Sequence, residues 1–509
     1  MVAAVGLPRT GAAADSIRLC VLVIAEQFRS DYLERFESLL GQEGLRRLMN
    51  QGAYFPDCRM AASSFSSSGI ATIATGAWPS AHGIVADSWF DVETGEAVTA
   101  QPAKLQAPTL ASSLLAAPGK PRVATTSLRR GPAEIWAGDS VSGDLQKSIY
   151  EFQPSPGYAY APPDWLRAFR EANAAEKWKN AQWEPLRTYA GAPPLRTLVD
   201  VPDRPGEFQA LFEASPFAQA AQFDLLRTLL AEEKLSESEG PALVTVILSP
   251  MSLLGHDVGA ESPLMREMVL HFDRQIELTL EALDKSPGRG GYSLVFTAAH
   301  GAPEAPPPGQ RHGLALDSEN VARTINQALS DFYDVSPVKN RYVERYVYPF
   351  LYLRHSQLNR YGIDPRQARR KAAEAALQVP GVAAWYTADG ECSRAGAWKN
   401  RMADSFHMSR CGDLMLSYVP GAVEDFAGGR GVSYGSLYSY DTRVPLIFYG
   451  PRFRNAVIEA AVESIDIAPT LARAFRVAPP AASLGRVLSR ALRSEDTSTA
   501  KQPPRRTGR

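Results

Sequence analysis

The chain has 509 residues, a mass of 55.4 kDa and an almost balanced charge. Its 54 Lys and Arg residues and 55 Asp and Glu residues give a net charge of −1, which argues against nucleic-acid binding and against a basic membrane-facing surface. Apolar runs such as residues 19–25 are short, whereas a membrane-spanning helix needs about 20 apolar residues. The sequence therefore predicts no transmembrane segment.

The pattern of apolar residues predicts an α/β fold. Amphipathic periodicity predicts helices over 31–49 and 262–283, the second with apolar residues at steps of three and four. Short runs rich in β-branched residues predict buried strands at 17–25, 242–248, 292–298 and 444–449. Buried strands that alternate with helices indicate a mostly parallel sheet, sandwiched by helices on both faces.

Two stretches interrupt this alternation. The stretch 130–215 is rich in Pro, Tyr, Trp and Ala and is predicted to be an irregular insertion. The stretch 321–425 is predicted to be a small α+β cap lobe, with strands at 345–354, 382–386 and 413–418 and a helix that begins at Asp364-Pro365. The predicted divisions are an N-terminal tail or signal remnant (1–16), core segments (17–129, 216–320 and 426–485), the insertion (130–215), the cap lobe (321–425) and a disordered basic tail (486–509).

The N-terminus and the cysteines leave alternatives open. Residues 1–16 resemble the end of a signal peptide but lack a charged start and a full apolar core, so they are either a truncated signal or a loose terminus. Four cysteines are too few for a disulfide scaffold. Cys392 and Cys411 either pair in an oxidising compartment or are two buried thiols.

Six segments in a fixed order carry a resemblance to a known family. They are VLVIAEQFRSDYLERF (21–36), SSSGIATIATGAWPSAHGI (66–84), LLGHDVGAES (253–262), VFTAAHG (295–301), SYGSLYSYDTRVPLIFYGP (433–451) and SIDIAPTLA (464–472). Together they resemble the alkaline phosphatase superfamily, and within it the bacterial exported alkaline phosphatases of the type I phosphodiesterase/nucleotide pyrophosphatase branch. The resemblance implies an alkaline-phosphatase-like core and a periplasmic location.

The resemblance also implies a specific chemistry. Two zinc ions clamp a phosphoryl group during in-line displacement, one held by two Asp, a His and the nucleophile oxygen, the other by an Asp and two His. A Thr or Ser attacks phosphorus from the N-terminus of a helix, where backbone N–H groups favour an anion.

This chain retains only part of the implied ligand set. By the resemblance, Glu26 stands at the first-strand Asp position, and His256 and His300 stand at two of the His positions. The remaining ligand positions are occupied by Ser252, Ala299 and Tyr434. Zinc sites use three or four protein ligands with anionic or imidazole groups, so this remainder predicts a degenerate metal site.

Three further positions concern the phosphoryl group. Ser66 falls at the nucleophile position and is either a nucleophile or an ordinary helix N-cap residue. Asp87 falls where the family has an Asn that binds phosphate oxygens, and like charges repel by roughly 4 kcal/mol at about 4 Å in a partly buried cleft. Arg130 stands for the Arg that contacts phosphate in monoesterases.

Nearby charged residues give further expectations. Glu26 follows a buried strand, where an unpaired carboxylate is costly, so we expect it to pair with Arg29 or Arg443. Asp257 and Asp31 are the nearby carboxylates that could replace lost ligands, although Asp257 faces away from the site if its segment is extended.

Two functions follow from these residues. The first is a pseudoenzyme, a binding or regulatory module for an anionic small molecule, with no cofactor or at most one weakly held zinc. The alternative is an active hydrolase of phosphate, phosphonate or sulfate esters that uses Ser66 with a remodelled or single-metal site. The sequence predicts no nucleic-acid partner and does not identify a protein partner.

Overall fold

A computed structural model describes residues 17–138, 144–154, 161–186, 193–201, 203–303, 315–334, 340–424 and 434–493. Its central feature is a nine-stranded sheet with the order β8-β2-β7-β6-β1-β5-β3-β4, in which β9 also pairs with β2. The strands are β1 (Leu19–Gln27), β2 (Ala53–Arg59), β3 (Arg122–Ser127), β4 (Ile149–Glu151), β5 (Ala242–Leu248), β6 (Tyr292–His300), β7 (Arg443–Tyr449), β8 (Ala456–Val457) and β9 (Val462–Glu463).

The middle of this sheet is parallel and fully buried. Strand β1 pairs in parallel with β5 and β6, and β5 pairs in parallel with β3, whereas β7 is antiparallel to both of its neighbours. Every residue of β1, β5 and β6 is buried, which explains their continuous apolar runs. The predicted mostly parallel α/β fold is therefore confirmed.

Helices cover the sheet. Five of them are labelled here: α1 (Ser66–Thr75), α2 (Pro216–Glu232), α3 (Pro250–Val258), α4 (Pro263–Leu283) and α5 (Ile467–Phe475). The remaining described helices are Tyr32–Arg35, Leu45–Gln51, Pro79–His82, Leu110–Leu115, Arg130–Ala137, Asp144–Lys147, Asp164–Ala172, Glu207–Glu213, Ser318–Tyr333, His355–Arg360, Pro365–Ala376, Ala397–Ser405 and Ser439–Thr442. None of these described helices combines the length and the apolar character needed to cross a bilayer.

Helix α4 confirms the predicted helix over 262–283, with the Ser262 hydroxyl accepting the Met265 N–H as its N-cap. The predicted single helix over 31–49 is wrong, because the segment breaks into Tyr32–Arg35, a 3₁₀ turn and Leu45–Gln51. The Asp273 carboxylate of α4 causes the break, since it accepts the N–H groups of Gly41 and Leu45 at 2.7 Å each. This long-range cap fixes a loop where periodicity alone predicts a continuous helix.

A second, four-stranded antiparallel sheet lies in the stretch predicted as a cap lobe. Its strands are Val343–Val347, Phe350–Leu353, Leu414–Tyr418 and Val382–Thr387, in that order across the sheet. The predicted single strand over 345–354 is wrong, because the chain turns at Tyr348-Pro349 and forms a hairpin. The helix Pro365–Ala376 begins as expected, with the Asp364 side chain accepting the N–H groups of Arg366 and Gln367.

Parts of the predicted insertion and tail are ordered. Within 130–215, residues Arg130–Ala137 form a helix and Ile149–Glu151 form the edge strand β4 of the main sheet, so the insertion is not wholly irregular. Residues 486–493, predicted to be part of a disordered tail, pack on the core, where Ala491 is fully buried. Residues 1–16 and 494–509 lie outside the described part of the chain, and the domain boundaries stay predictions.

All four cysteines lie among the described residues as free thiols. Cys411 is buried, and its thiol lies 3.7 Å from the Ser405 carbonyl oxygen. Cys392 is half-buried beside the Met402 sulfur at 4.0 Å. Of the two alternatives for Cys392 and Cys411, the structure has unpaired thiols.

Candidate active site

The retained site residues meet at the carboxyl edge of the parallel strands. Strand β1 ends with Glu26 and Gln27, and Gln27 lies opposite His300, the last residue of β6. Helix α1 begins with Ser66 at the same edge. The helix can approach this closely because of Gly69, where an added Cβ would lie 2.2 Å from the carbonyl oxygen of Ala299. This edge is where open α/β sheets bind ligands.

Ser66 and His300 form a hydrogen-bonded pair. The Ser66 Oγ and the His300 Nε2 are 3.0 Å apart, and the His300 Nδ1 is 2.6 Å from the carbonyl oxygen of Gly301. A carbonyl can only accept, so the hydrogen-bond network assigns the ring proton to Nδ1 and leaves Nε2 to accept from the Ser66 hydroxyl. Burial lowers the pKa of His300 to about 3, which keeps the ring neutral at physiological pH. The Ser66 hydroxyl, the neutral imidazole and the Gly301 carbonyl therefore form one hydrogen-bonded chain.

Glu26 lies beside this pair in a buried position. Its Oε1 accepts a hydrogen bond of 2.7 Å from the hydroxyl of Ser249, the residue that follows β5. Burial is the main reason that the pKa of Glu26 is raised from 4.5 to about 7; the Ser249 hydroxyl opposes this increase and the charge of Asp87 adds to it. The carboxyl group is thus close to half-protonated at neutral pH.

The prediction that Glu26 pairs with Arg29 or Arg443 is wrong. Arg29 binds the Asp31 carboxylate at 2.8 Å, and Arg443 donates to the carbonyl oxygen of Pro56 at 3.0 Å. The Ser249 hydroxyl, which sequence reasoning missed, supplies the hydrogen bond instead. Its position directly after a buried strand, like that of Glu26, is the sequence signal that could have identified it.

Asp87 contacts the first turn of α1. Its Oδ1 accepts the backbone N–H of Ser67 at 2.8 Å, and its Oδ2 accepts the hydroxyl of Tyr434 at 3.3 Å. The N-terminus of a helix favours negative charge, so the Asp87 carboxylate is stabilised there. The structure thus places a fixed negative charge beside Ser66.

Tyr434 fills the space between the two retained histidines. Its ring stacks on that of His300 with centroids 3.9 Å apart, and its centroid lies 5.0 Å from that of His256. Burial raises the pKa of the Tyr434 hydroxyl well above its ordinary value, so the group stays a neutral donor. The resemblance identified this position only as a lost ligand.

The other predicted positions lie as follows. Ser252 and His256 both belong to α3, so this segment is helical rather than extended. Asp257 binds Arg196 at 2.7 Å. Ala299 is buried in β6. The candidate replacement ligands Asp257 and Asp31 are both engaged in ion pairs with arginines.

Arg130 lies at the start of its helix among carboxylates. Its Nε is 2.9 Å from a Glu134 oxygen, and its Nη1 is 4.0 Å from a Glu151 oxygen. The neighbouring Arg129 is paired with Glu213. The predicted contact of Arg130 with phosphate stays a prediction.

Asp441 is a buried acid that sequence reasoning missed. Its Oδ2 accepts the Ser436 N–H at 2.9 Å, and burial raises its pKa to about 7. Its backbone carbonyl accepts the N–H of Gly301, so the short helix Ser439–Thr442 holds the residue that follows His300. An Asp two residues before a buried strand is the sequence signal that could have identified it.

The implied two-zinc ligand set does not fit the described residues. Among them, no group of three or more His, Cys, Asp or Glu side chains converges to hold a metal ion. Protein zinc sites use three or four such ligands. The chemistry below is therefore derived from the side chains alone, with no step through a metal.

Comparisons with known proteins agree on the kind of protein. The family described as type I phosphodiesterase / nucleotide pyrophosphatase matches residues 20–424. The chain is 23% identical to the alkaline phosphatase PhoV of Synechococcus elongatus over 94% of this chain and 93% of that protein. It is 22% identical to the alkaline phosphatase PafA of Elizabethkingia meningoseptica over 93% of this chain and 94% of that protein.

Solved structures show the same fold. The crystal structure of alkaline phosphatase PafA has a TM-score of 0.81 at 20% identity, covering 95% of this chain and 100% of that one. Phosphonoacetate hydrolase from Sinorhizobium meliloti, solved in complex with phosphonoformate, has a TM-score of 0.55 at 16% identity, covering 90% and 96%. The fold of this chain is therefore that of PafA.

These comparisons overturn two expectations. The pseudoenzyme hypothesis is wrong, because relatives matched along more than nine-tenths of the chain are named alkaline phosphatases. The expectation of no cofactor, or at most one weakly held zinc, is wrong for the same reason. It depended on an inactive site, whereas the resemblance to alkaline phosphatases implies metal-dependent chemistry.

Proposed function

Because the chain belongs to the type I phosphodiesterase/nucleotide pyrophosphatase family, we propose that it is an active hydrolase of phosphate, phosphonate or sulfate esters with Ser66 as its nucleophile. The observation that carries this proposal is the 3.0 Å hydrogen bond between the Ser66 Oγ and the His300 Nε2 at the N-terminus of α1. A serine in that position has a proton acceptor in place and an anion-favouring helix end around it.

The reaction proceeds by two displacements for a phosphate ester. The Ser66 oxygen attacks phosphorus as its proton passes to the His300 Nε2, and the bond from phosphorus to the ester oxygen breaks. The alcohol departs on the opposite side of phosphorus and takes a proton from solvent, which leaves a phosphoryl group on Ser66 and the serine proton on His300. Water then attacks this intermediate from that side and loses a proton to solvent, while His300 returns its proton to the departing Ser66 oxygen.

Each neighbouring group has a defined part in this scheme. The Gly301 carbonyl holds the proton on the His300 Nδ1, which keeps Nε2 available as an acceptor. The stacked ring of Tyr434 fixes the plane of the imidazole. The ligand is a small anion, and N–H groups at the start of α1 are donors of the kind that bind anions.

The test is a comparison of two adjacent serine variants of the full chain. p-Nitrophenyl phosphate, bis(p-nitrophenyl) phosphate and p-nitrophenyl sulfate serve as substrates, with and without added zinc. Ser66→Ala is expected to lower kcat/KM by roughly 10³-fold or more. Ser67→Ala is the matched control, because Ser67 contacts Asp87 through its backbone N–H, which the substitution keeps. The proposal would be refuted if wild type turned over none of the three esters faster than Ser66→Ala does, both with and without added zinc.

We also propose that the protein acts outside the cytoplasm, as the resemblance to exported alkaline phosphatases implies. Fractionation of cells that express the full-length gene is expected to place the protein with periplasmic or secreted markers. Recovery with cytoplasmic markers alone would contradict this location.

A further inference from the structure

The chain's own carboxylate lies where the reacting group of a substrate would be held. The Asp87 Oδ1 accepts the Ser67 N–H at 2.8 Å, in the first turn of α1 and one residue from the nucleophile. Backbone N–H groups at this end of a helix are donors for an anionic substrate group. Asp87 therefore occupies one such donor and adds a negative charge beside the rest.

The other charged groups near Ser66 are a second acid and two arginines that are themselves paired with carboxylates. Glu26 is a second acid beside Ser66, and the charge of Asp87 acts on it. Of the nearby arginines, Arg130 is 2.9 Å from Glu134, and Arg129 is paired with Glu213. Both arginines thus have carboxylate partners of their own, although the charge of Arg129 also acts on Glu26.

We propose, on the basis of the proposed function, that Asp87 sets the charge selectivity of the site. It favours esters with one negative charge on the reacting group, such as phosphodiesters and sulfate monoesters, over phosphate monoesters with two. The second charge of a monoester dianion meets the Asp87 carboxylate at close range. At about 4 Å in a partly buried cleft this repulsion corresponds to a factor of roughly 10²–10³ in binding, which solvent screening reduces.

The substitution Asp87→Asn tests this with little change in shape. An Asn oxygen can still accept the Ser67 N–H, and its amide group can donate to the Tyr434 hydroxyl oxygen. Asp91→Asn is the matched control, because it removes the same charge from a nearby residue. Asp91 is bonded to Lys104 at 3.4 Å and to the backbone N–H of Glu93 at 3.0 Å.

The kinetic readout is the ratio of kcat/KM for p-nitrophenyl phosphate to that for bis(p-nitrophenyl) phosphate. Asp87→Asn is expected to raise this ratio at least about tenfold after allowance for screening. Asp91→Asn is expected to leave it within about twofold, since the Asp91 charge is already offset by Lys104. An unchanged ratio in Asp87→Asn would overturn the proposal while leaving hydrolysis by Ser66 intact.

A binding readout separates this inference from the proposed function. Phenylphosphonate above its second ionisation is a dianion, and benzenesulfonate is a monoanion of similar shape; neither probe has an ester bond to hydrolyse. Calorimetry is expected to show that wild type binds the monoanion more tightly and that Asp87→Asn reduces or reverses this preference. That result in an enzyme without turnover would refute the proposed function and keep the charge selectivity. If the wild-type protein binds the dianion as tightly as the monoanion or more tightly, or binds neither probe, the proposed charge selectivity is refuted. This holds whatever affinities Asp87→Asn shows.

Discussion

Replacing Asp441 by Asn should stabilise the protein in a way that depends on pH. The carboxyl group is fully buried, its Oδ2 accepts the Ser436 N–H, and its Oδ1 has no hydrogen-bond partner among the described residues. Burial raises its pKa from an ordinary 3.8 to about 7. Ionising this group in the folded protein is therefore costly.

The sign and size follow from proton linkage. Between pH 3.8 and about 7 the folded protein holds a proton on Asp441 that the unfolded chain has lost, so the free energy of unfolding falls as pH rises through this window. A difference of about three pKa units corresponds to roughly 4 kcal/mol at pH 8, since each unit is worth about 1.4 kcal/mol. An Asn at this position can accept the same N–H without this cost.

Urea unfolding at pH 4, 6 and 8 measures the effect. Asp441→Asn is expected to gain nothing at pH 4 and up to roughly 4 kcal/mol at pH 8 relative to wild type. Asp164→Asn is the control, because the Asp164 side chain is 92% exposed in a surface pair with Arg167, and its effect should vary little with pH. A difference between Asp441→Asn and wild type that stays constant from pH 4 to pH 8 would refute the reasoning.

Three further predictions concern the site and its scaffold. His300→Gln removes the proton acceptor of Ser66 and should lower kcat/KM by about 10²–10⁴-fold in a p-nitrophenyl ester assay, so an unchanged rate would exclude His300 as the base. Gly69→Ala places a Cβ 2.2 Å from the Ala299 carbonyl oxygen and should cost about 1–3 kcal/mol in urea unfolding; a neutral result would contradict the close packing of α1 on β6. Tyr434→Phe loses the hydrogen bond to Asp87 but keeps the ring stack on His300, so it should lower the free energy of unfolding by about 1 kcal/mol. Tyr434→Ala also loses the stack and should lower it further. Equal losses in the two variants would argue against a stabilising stack.

The parts of the fold that depend on local pattern could be predicted from the sequence. Strand β5 and helix α4 match their predictions closely, because continuous burial and a one-sided apolar face leave direct traces in residue order. The break in the predicted helix over 31–49 could not be predicted, because it depends on Asp273, which is more than 200 residues away in the chain. Contacts of this kind leave no local signal.

The site shows the same division. The order of the motifs predicts Glu26, Ser66 and His300 as site residues, and the structure brings them together because parallel strands end at the same edge. The inactive interpretation came from counting ligands at single positions. It missed that Tyr434 packs on the His300 ring and that the His300 Nε2 lies within hydrogen-bonding distance of Ser66. Those relations depend on side-chain geometry that spacing does not encode.

The most direct test of the central claim is to trap the covalent intermediate on Ser66. The full-length enzyme is mixed with p-nitrophenyl phosphate, quenched in acid during the first turnovers and digested for mass spectrometry. We expect a phosphoryl group on the peptide that contains Ser66, in wild type and in Ser67→Ala but not in Ser66→Ala. Release of p-nitrophenol by Ser66→Ala at the wild-type rate, with no phosphorylated Ser66 in the wild type, would contradict the account.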